Sequence, residues 1–209
     1  VALARPQQGK ERVHEFSKGV AIEMVLDRSG SMGAEMGYAG ETLSRIEVVK
    51  RVFESFVTGT DGDLPGRPND LIGMVTFARY AETVCPLTLA HGALISFLEN
   101  VERVEPLRSR VDRIIGGGEL LRHGIDRENG RLLFEWRDAD GQRHESALPL
   151  EDGTAIGDGL ALAAARLKTA EETLARQTGK ERKDIEIQSK VIILLTDGQH
   201  NAGKRLPLE

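Results

Sequence analysis

Three apolar runs set the rhythm of this chain. Residues 19–26, 71–77 and 191–196 are nearly continuous in Val, Ile, Leu, Met and Ala. Runs of that kind predict strands buried on both faces. Residues 81–87 alternate loosely and contain Pro86, which suits an edge strand. Between the runs the apolar spacing turns helical. Residues 41–58 place Leu43, Ile46, Val49, Phe53, Phe56 and Val57 near one face, with Thr42 as the expected cap. Residues 91–101 do the same with Leu94, Phe97, Leu98 and Val101. A third helix is expected over 154–174, with Ile156, Leu160, Leu162, Ala165 and Leu167 inward. Breaker-rich 59–69 reads as a loop, 179–184 as a charged linker and 1–18 as a polar lead. Buried strands alternating with helices predict an α/β fold, a Rossmann-like doubly wound and mostly parallel sheet flanked by helices.

Residues 105–149 break this rhythm. A Gly116-Gly117-Gly118 run precedes Leu132-Leu133-Phe134-Glu135-Trp136-Arg137, and the turn Asp138-Ala139-Asp140-Gly141 leads into 142–148. That pattern predicts a β-hairpin on an insertion at the domain surface. No Lys-Ser/Thr follows the glycines, so they do not form a phosphate loop. The main domain is then 19–209. Its sheet is expected to lack one edge, because the last strand falls close to residue 209.

Composition narrows the functions. Of 209 residues, 40% are apolar and 29% charged, enough for an ordinary core. The net charge of −5 argues against a nucleic-acid partner. Aromatics at 4% leave little for a stacking platform. The single cysteine, Cys85, lies in an apolar run and reads as a buried structural thiol.

The chemistry lies where strands end. The first apolar run stops at Asp27-Arg28-Ser29-Gly30-Ser31. Asp27, Ser29 and Ser31 are spaced by two, so an extended loop directs all three to one side. Hard oxygen donors of this type suit Mg²⁺. Asp152-Gly153-Thr154 opens the third helix with a hydroxyl, and the last strand ends in Thr196-Asp197-Gly198. In open parallel sheets, ligands sit beyond the carboxyl ends of strands. Asp27 and Asp197 can therefore face one site. Asp158 reads as a partner of the helix dipole. Asp61 and Asp63 lack the other ligands of an EF-hand and read as a turn. The five histidines are scattered, with only His200 near the expected rim.

Asp27-x-Ser29-x-Ser31, Thr154 and Asp197, in that order and on those elements, resemble the metal-ion-dependent adhesion site of von Willebrand factor A (vWA) domains. The resemblance implies that Ser29, Ser31 and Thr154 ligate the cation directly and that Asp27 and Asp197 act through bound water. Mg²⁺ is the expected ion, with Mn²⁺ or Ca²⁺ as alternatives. An acidic residue of a protein partner would complete the shell. A nearer likeness is to bacterial Bat-type aerotolerance proteins. It rests on residues 4–7, 85–88, 151–158 and 196–203. It implies a parent anchored in a bacterial membrane, with 1–18 as a juxtamembrane lead and the domain on the extracytoplasmic side. Neither a catalytic residue nor a small-molecule substrate is expected. Two alternatives stay open. One is a scaffold that binds through the 105–149 insertion without metal, which exposed Phe134 or Trp136 would favour. The other is a Mg²⁺-dependent phosphotransferase with Asp27 as nucleophile, although Ser29 stands where such an enzyme wants a second carboxylate.

Overall fold

A computed structural model describes residues 17–60, 62, 64–178, 185–198 and 200–206. Most of the expected lead, the expected linker, Asp61 and Asp63 lie outside those residues. The central sheet has the order β5-β4-β1-β9, with β1 at Ser17–Asp27, β4 at Leu71–Phe77, β5 at Ala81–Thr88 and β9 at Ile185–Leu195. β1 runs parallel to both β4 and β9, and β5 is antiparallel to β4. Leu26 pairs with Leu195, and Asp27 with Phe77. The ends of β1 and β9 thus lie side by side where strand order reverses. This is the mixed α/β fold with a mostly parallel sheet that the apolar runs predict.

Helices cover both faces. Alternate residues of β1 point to opposite sides. Ile22, Met24 and Leu26 pack with Ile46, Phe53 and Val57 of α1 (Arg45–Thr58) and with Leu94 and Leu98 of α2 (His91–Glu99). Ala21 and Val25 face the other way. They pack with Ile156, Ala163 and Leu167 of α4 (Ile156–Lys168) and with Ala170 and Leu174 of α5 (Ala170–Thr178). A Cβ at Gly159 would lie 3.1 Å from Phe77 Cδ1, so this glycine lets α4 press onto the sheet. Glu23, on the same face, is fully buried, and a Cβ at Gly73 across the pair would lie 2.6 Å from its Oε2. Cys85 is buried, as expected.

Five expectations are corrected. The first helix starts at Arg45, because residues 41–44 form a strand, β3 (Glu41–Ser44), paired with β2 (Glu35–Tyr38). Its cap is Ser44, whose backbone N donates to Glu47 Oε2 at 2.8 Å, one half of a capping box. Phe97 is 47% exposed, and Ala163 rather than Ala165 is inward. The helix over 154–174 is two helices, broken at Thr169, which turns Ala170 and Leu174 onto the second core cluster.

The hairpin expected near 132–148 is present, but as part of a larger side module. β6 (Glu119–Asp126), β7 (Arg131–Arg137) and β8 (Arg143–Pro149) form a separate antiparallel sheet, preceded by α3 (Leu107–Ile115). Val111 of α3 packs on Leu132 and Phe134, with Trp136 and Leu148 beside them. Gly116, left-handed with φ 55°, ends α3, so the glycine run works as a helix stop. Among the described residues no helix is long and apolar enough to cross a membrane.

Candidate metal centre

The loop after β1 is built from backbone bonds. Arg28 N donates to Phe77 O at 2.8 Å, and Ser29 N donates to Asp27 Oδ1 at 2.8 Å. A 3₁₀ turn, Gly30–Gly33, then carries Ser31, in place of the extended loop expected from the spacing of two. Asp27 is fully buried, yet no apolar partner explains it. Its Oδ2 accepts from Thr196 Oγ1 at 2.6 Å, which ties β1 to the end of β9. Ser29 Oγ and Ser31 Oγ are 3.1 Å apart, and Ser31 Oγ donates to Asp197 Oδ1 at 2.9 Å. Asp197 Oδ2 is paired with Arg45.

Thr154 enters from the opposite side. It is 4% exposed, just before α4. A Cβ placed at Gly198 would lie 3.3 Å from Thr154 Oγ1 and 3.7 Å from Asp27 Oδ2. Glycine there leaves the hydroxyl and the carboxylate around one small space. Ser29, Ser31, Thr154, Arg79, Asp152, Gly153 and Asn201 line an open cavity of about 310 Å³. The structure thus gathers all five expected side chains at one end of the sheet. Three neutral hydroxyls and two carboxylates are an all-oxygen donor set that fits a hard divalent cation. No group of three or more His, Cys, Asp or Glu converges among the described residues, so hydroxyls would supply most of any such shell.

Other residues hold this arrangement, and sequence reasoning gave them no role. Asn201 clasps Thr154 twice: Thr154 N donates to Asn201 Oδ1 at 2.8 Å, and Asn201 N donates to Thr154 O at 3.1 Å. Asp152 Oδ1 accepts from Gly30 N at 2.8 Å, joining the serine loop to the entry of α4. Both lie in stretches that resemble Bat-type proteins, which was the available signal. Asp158 accepts from the backbone N of Lys204 and Arg205 at 2.8 and 3.0 Å, so it anchors the loop beyond β9. His200 is half-buried and outside the lining of the cavity. Arg28 is engaged with Glu82 at 3.5 Å and donates to Glu102 O at 3.3 Å. Phe134 is buried, and Trp136 is half-buried with its ring stacked on His144.

A family model described as "von Willebrand factor type A domain" matches residues 22–128, half of the chain. The chain belongs to the vWA domain family. A protein of Borreliella burgdorferi is 37% identical over 87 residues, covering 42% of this vWA chain and 23% of the relative. Solved structures of similar fold include an aerotolerance-related membrane protein from Bacteroides fragilis. It is 23% identical with a TM-score of 0.46, covering 88% of this chain and 57% of that one. Proximal thread matrix protein 1 of the mussel byssus, with a zinc-occupied MIDAS motif, is 19% identical with a TM-score of 0.41. That match covers 90% of this chain and 31% of the mussel chain. This vWA chain therefore spans well under two thirds of each of these proteins.

Proposed function

We propose that this vWA domain is a metal-dependent protein-binding module. Asp27, Ser29, Ser31, Thr154 and Asp197 hold one Mg²⁺ ion, and a carboxylate of a partner protein completes its shell. The observation that carries the reading is the shared space at Gly198, bordered by Thr154 Oγ1 and Asp27 Oδ2 from elements 127 residues apart in sequence. Asp27 is fully buried with Oδ1 held by Ser29 N and Oδ2 by Thr196 Oγ1, and a cation would supply the positive charge that those neutral donors do not. Neutral hydroxyl ligands leave most of the ion's charge uncompensated, and Mg²⁺ keeps exchangeable waters. One such water gives way to an acidic side chain, so the ion bridges two proteins. No substrate is converted. The likeness of residues 151–158 and 196–203 to Bat-type proteins supports a parent held in a bacterial membrane, with this domain on its extracytoplasmic side.

The test is a titration of the chain with MgCl₂ and MnCl₂, followed by partner capture from bacterial extract with and without chelator. Wild type is expected to bind one ion and to capture a partner only when metal is present. Asp27→Asn keeps the shape and should lose both. Capture that survives chelation, or wild-type metal affinity in Asp27→Asn, sinks the reading. So does steady phosphate-ester turnover in the presence of metal.

A further inference from the structure

The pairing of Arg45 with Asp197 is foreign to a site whose task is to hold a cation. Asp197 leaves β9 with its side chain 15% exposed and meets two groups. Ser31 takes one oxygen and the Arg45 guanidinium takes the other. Arg45 is the first residue of α1, and its backbone N is fixed to Ala34 O at 2.9 Å. The helix start therefore aims this side chain across the mouth of the serine loop. Among the described residues Asp197 is the one carboxylate Arg45 pairs with.

We propose that Arg45 is a built-in competitor for the cation at Asp197 and sets the metal concentration at which the centre loads. The proposal rests on the metal reading above. While the guanidinium holds Asp197 Oδ2, that carboxylate cannot orient water on an incoming ion, and its negative charge is already spent. Loading requires Arg45 to let go. Its side chain is 39% exposed and has no other side-chain partner to break among the described residues, so it can turn into solvent. Once displaced it still stands beside the ion and raises the positive potential of the mouth, which favours an anionic partner. The arginine thus trades metal affinity for electrophilicity. An ion pair this exposed is weakened by water, so the expected penalty is about two- to fivefold in affinity.

The experiment is calorimetric titration of the chain with MnCl₂ at fixed ionic strength. Wild type is compared with Arg45→Gln, Arg45→Met and Arg45→Lys, each first checked for folding by circular dichroism melting without metal. Arg51→Gln serves as the charge control, because Arg51 lies on the same helix and pairs with Glu41, away from the centre. The neutral Arg45 variants are expected to bind about two- to fivefold tighter, with Arg45→Lys and Arg51→Gln close to wild type. Affinity in both neutral variants equal to or weaker than wild type overturns the proposal and makes Arg45 a support for Asp197. Tightening that Arg51→Gln reproduces also overturns it, since net charge alone would then be the cause. Absence of binding in every protein, up to millimolar metal, overturns the metal reading itself, so the two failures are told apart.

Discussion

The loops at the metal face and the side module at 107–150 were built by opposite rules. At the metal face, contacts are long-range: Thr196 reaches Asp27, Ser31 reaches Asp197, and Asn201 reaches Thr154. Its buried members are polar, including Asp27, Ser29 and Thr154. The side module is local. Its core of Val111, Leu132 and Phe134, with their partly buried neighbours, contains no residue from the central sheet, and none of the buried polar side chains lies within it. Yet the two regions meet. Val104 N donates to Arg28 O at 2.8 Å, and Asp152 at the module's exit holds Gly30. A polar cluster that burial alone would penalise persists where the fold needs it for chemistry. An apolar cluster beside it stabilises only itself.

The comparison breaks most readily at Phe134. This ring is 3% exposed, and Phe134→Ala should cost the module about 3–5 kcal/mol, the usual range for a truncated buried aromatic. A three-stranded sheet with one nine-residue helix has little stability to spare, so the module should open on its own. Hydrogen exchange should accelerate over residues 107–150 while amides of β1 and β4 stay protected and metal binding is unchanged. A fall in protection across the central sheet would mean that the two regions share one cooperative unit.

Legibility in the sequence follows the same division. β1 and β4 were plain because both their faces lie under helices. β9 is an edge strand of exposed and half-buried residues, so the burial on both faces expected for it is corrected, and only its apolar run over 191–195 made it legible. Asp27, Ser29 and Ser31 were plain because a polar spacing of two directly follows such a run. Thr154 and Asp197 needed the family pattern, since nothing local ties residues 43 positions apart to each other. Arg45 and Asn201 were hidden. One is an ordinary first residue of a helix and the other an ordinary loop amide, and their roles come only from what folding sets opposite them. The start of α1 was misread because Thr42 and Ser44 both look like caps; Glu47, three residues after Ser44, decides between them. α3 and β6 were missed because the polar residues of Glu119–Asp126 face solvent and mask its alternation.

The next effect lies inside the sheet. Neither carboxyl oxygen of Glu23 has a hydrogen-bond partner among the described residues. Burial lifts its pKa from 4.5 to about 8, with Arg166 of α4 pulling the other way. Cys85 of β5 feels the same carboxyl, which together with burial raises its thiol pKa. The unfolded chain releases the Glu23 proton near pH 4.5 while the folded chain keeps it. Stability is therefore full below that pH and declines as pH rises toward about 8. Glu23→Gln removes the penalty and should gain about 4–5 kcal/mol over wild type at pH 8.5, and little at pH 4. Thermal melts of both proteins across that range measure it. A difference that does not depend on pH would mean that Glu23 ionises normally. Loss of module protection with rising pH would mean that the strain in the sheet reaches across the join.

The smallest effect probes the long-range clasp itself. Asn201→Ala leaves the backbone bond to Thr154 O but removes the acceptor of Thr154 N, a bond of 2.8 Å at a residue only 4% exposed. One net hydrogen bond is worth about 1 kcal/mol, with more lost if the amide stays buried and unpaired. Thr154 should then drift from the space it shares with Asp27, and Mn²⁺ affinity should fall about three- to tenfold with little change in melting temperature. Asn201→Asp retains an acceptor at the same place and should recover the affinity. Recovery identifies the side-chain oxygen as what holds the hydroxyl in place. Wild-type affinity in Asn201→Ala would assign the work to the backbone bond, which that variant keeps, and the metal face would then owe its order to chain path alone, as the side module does.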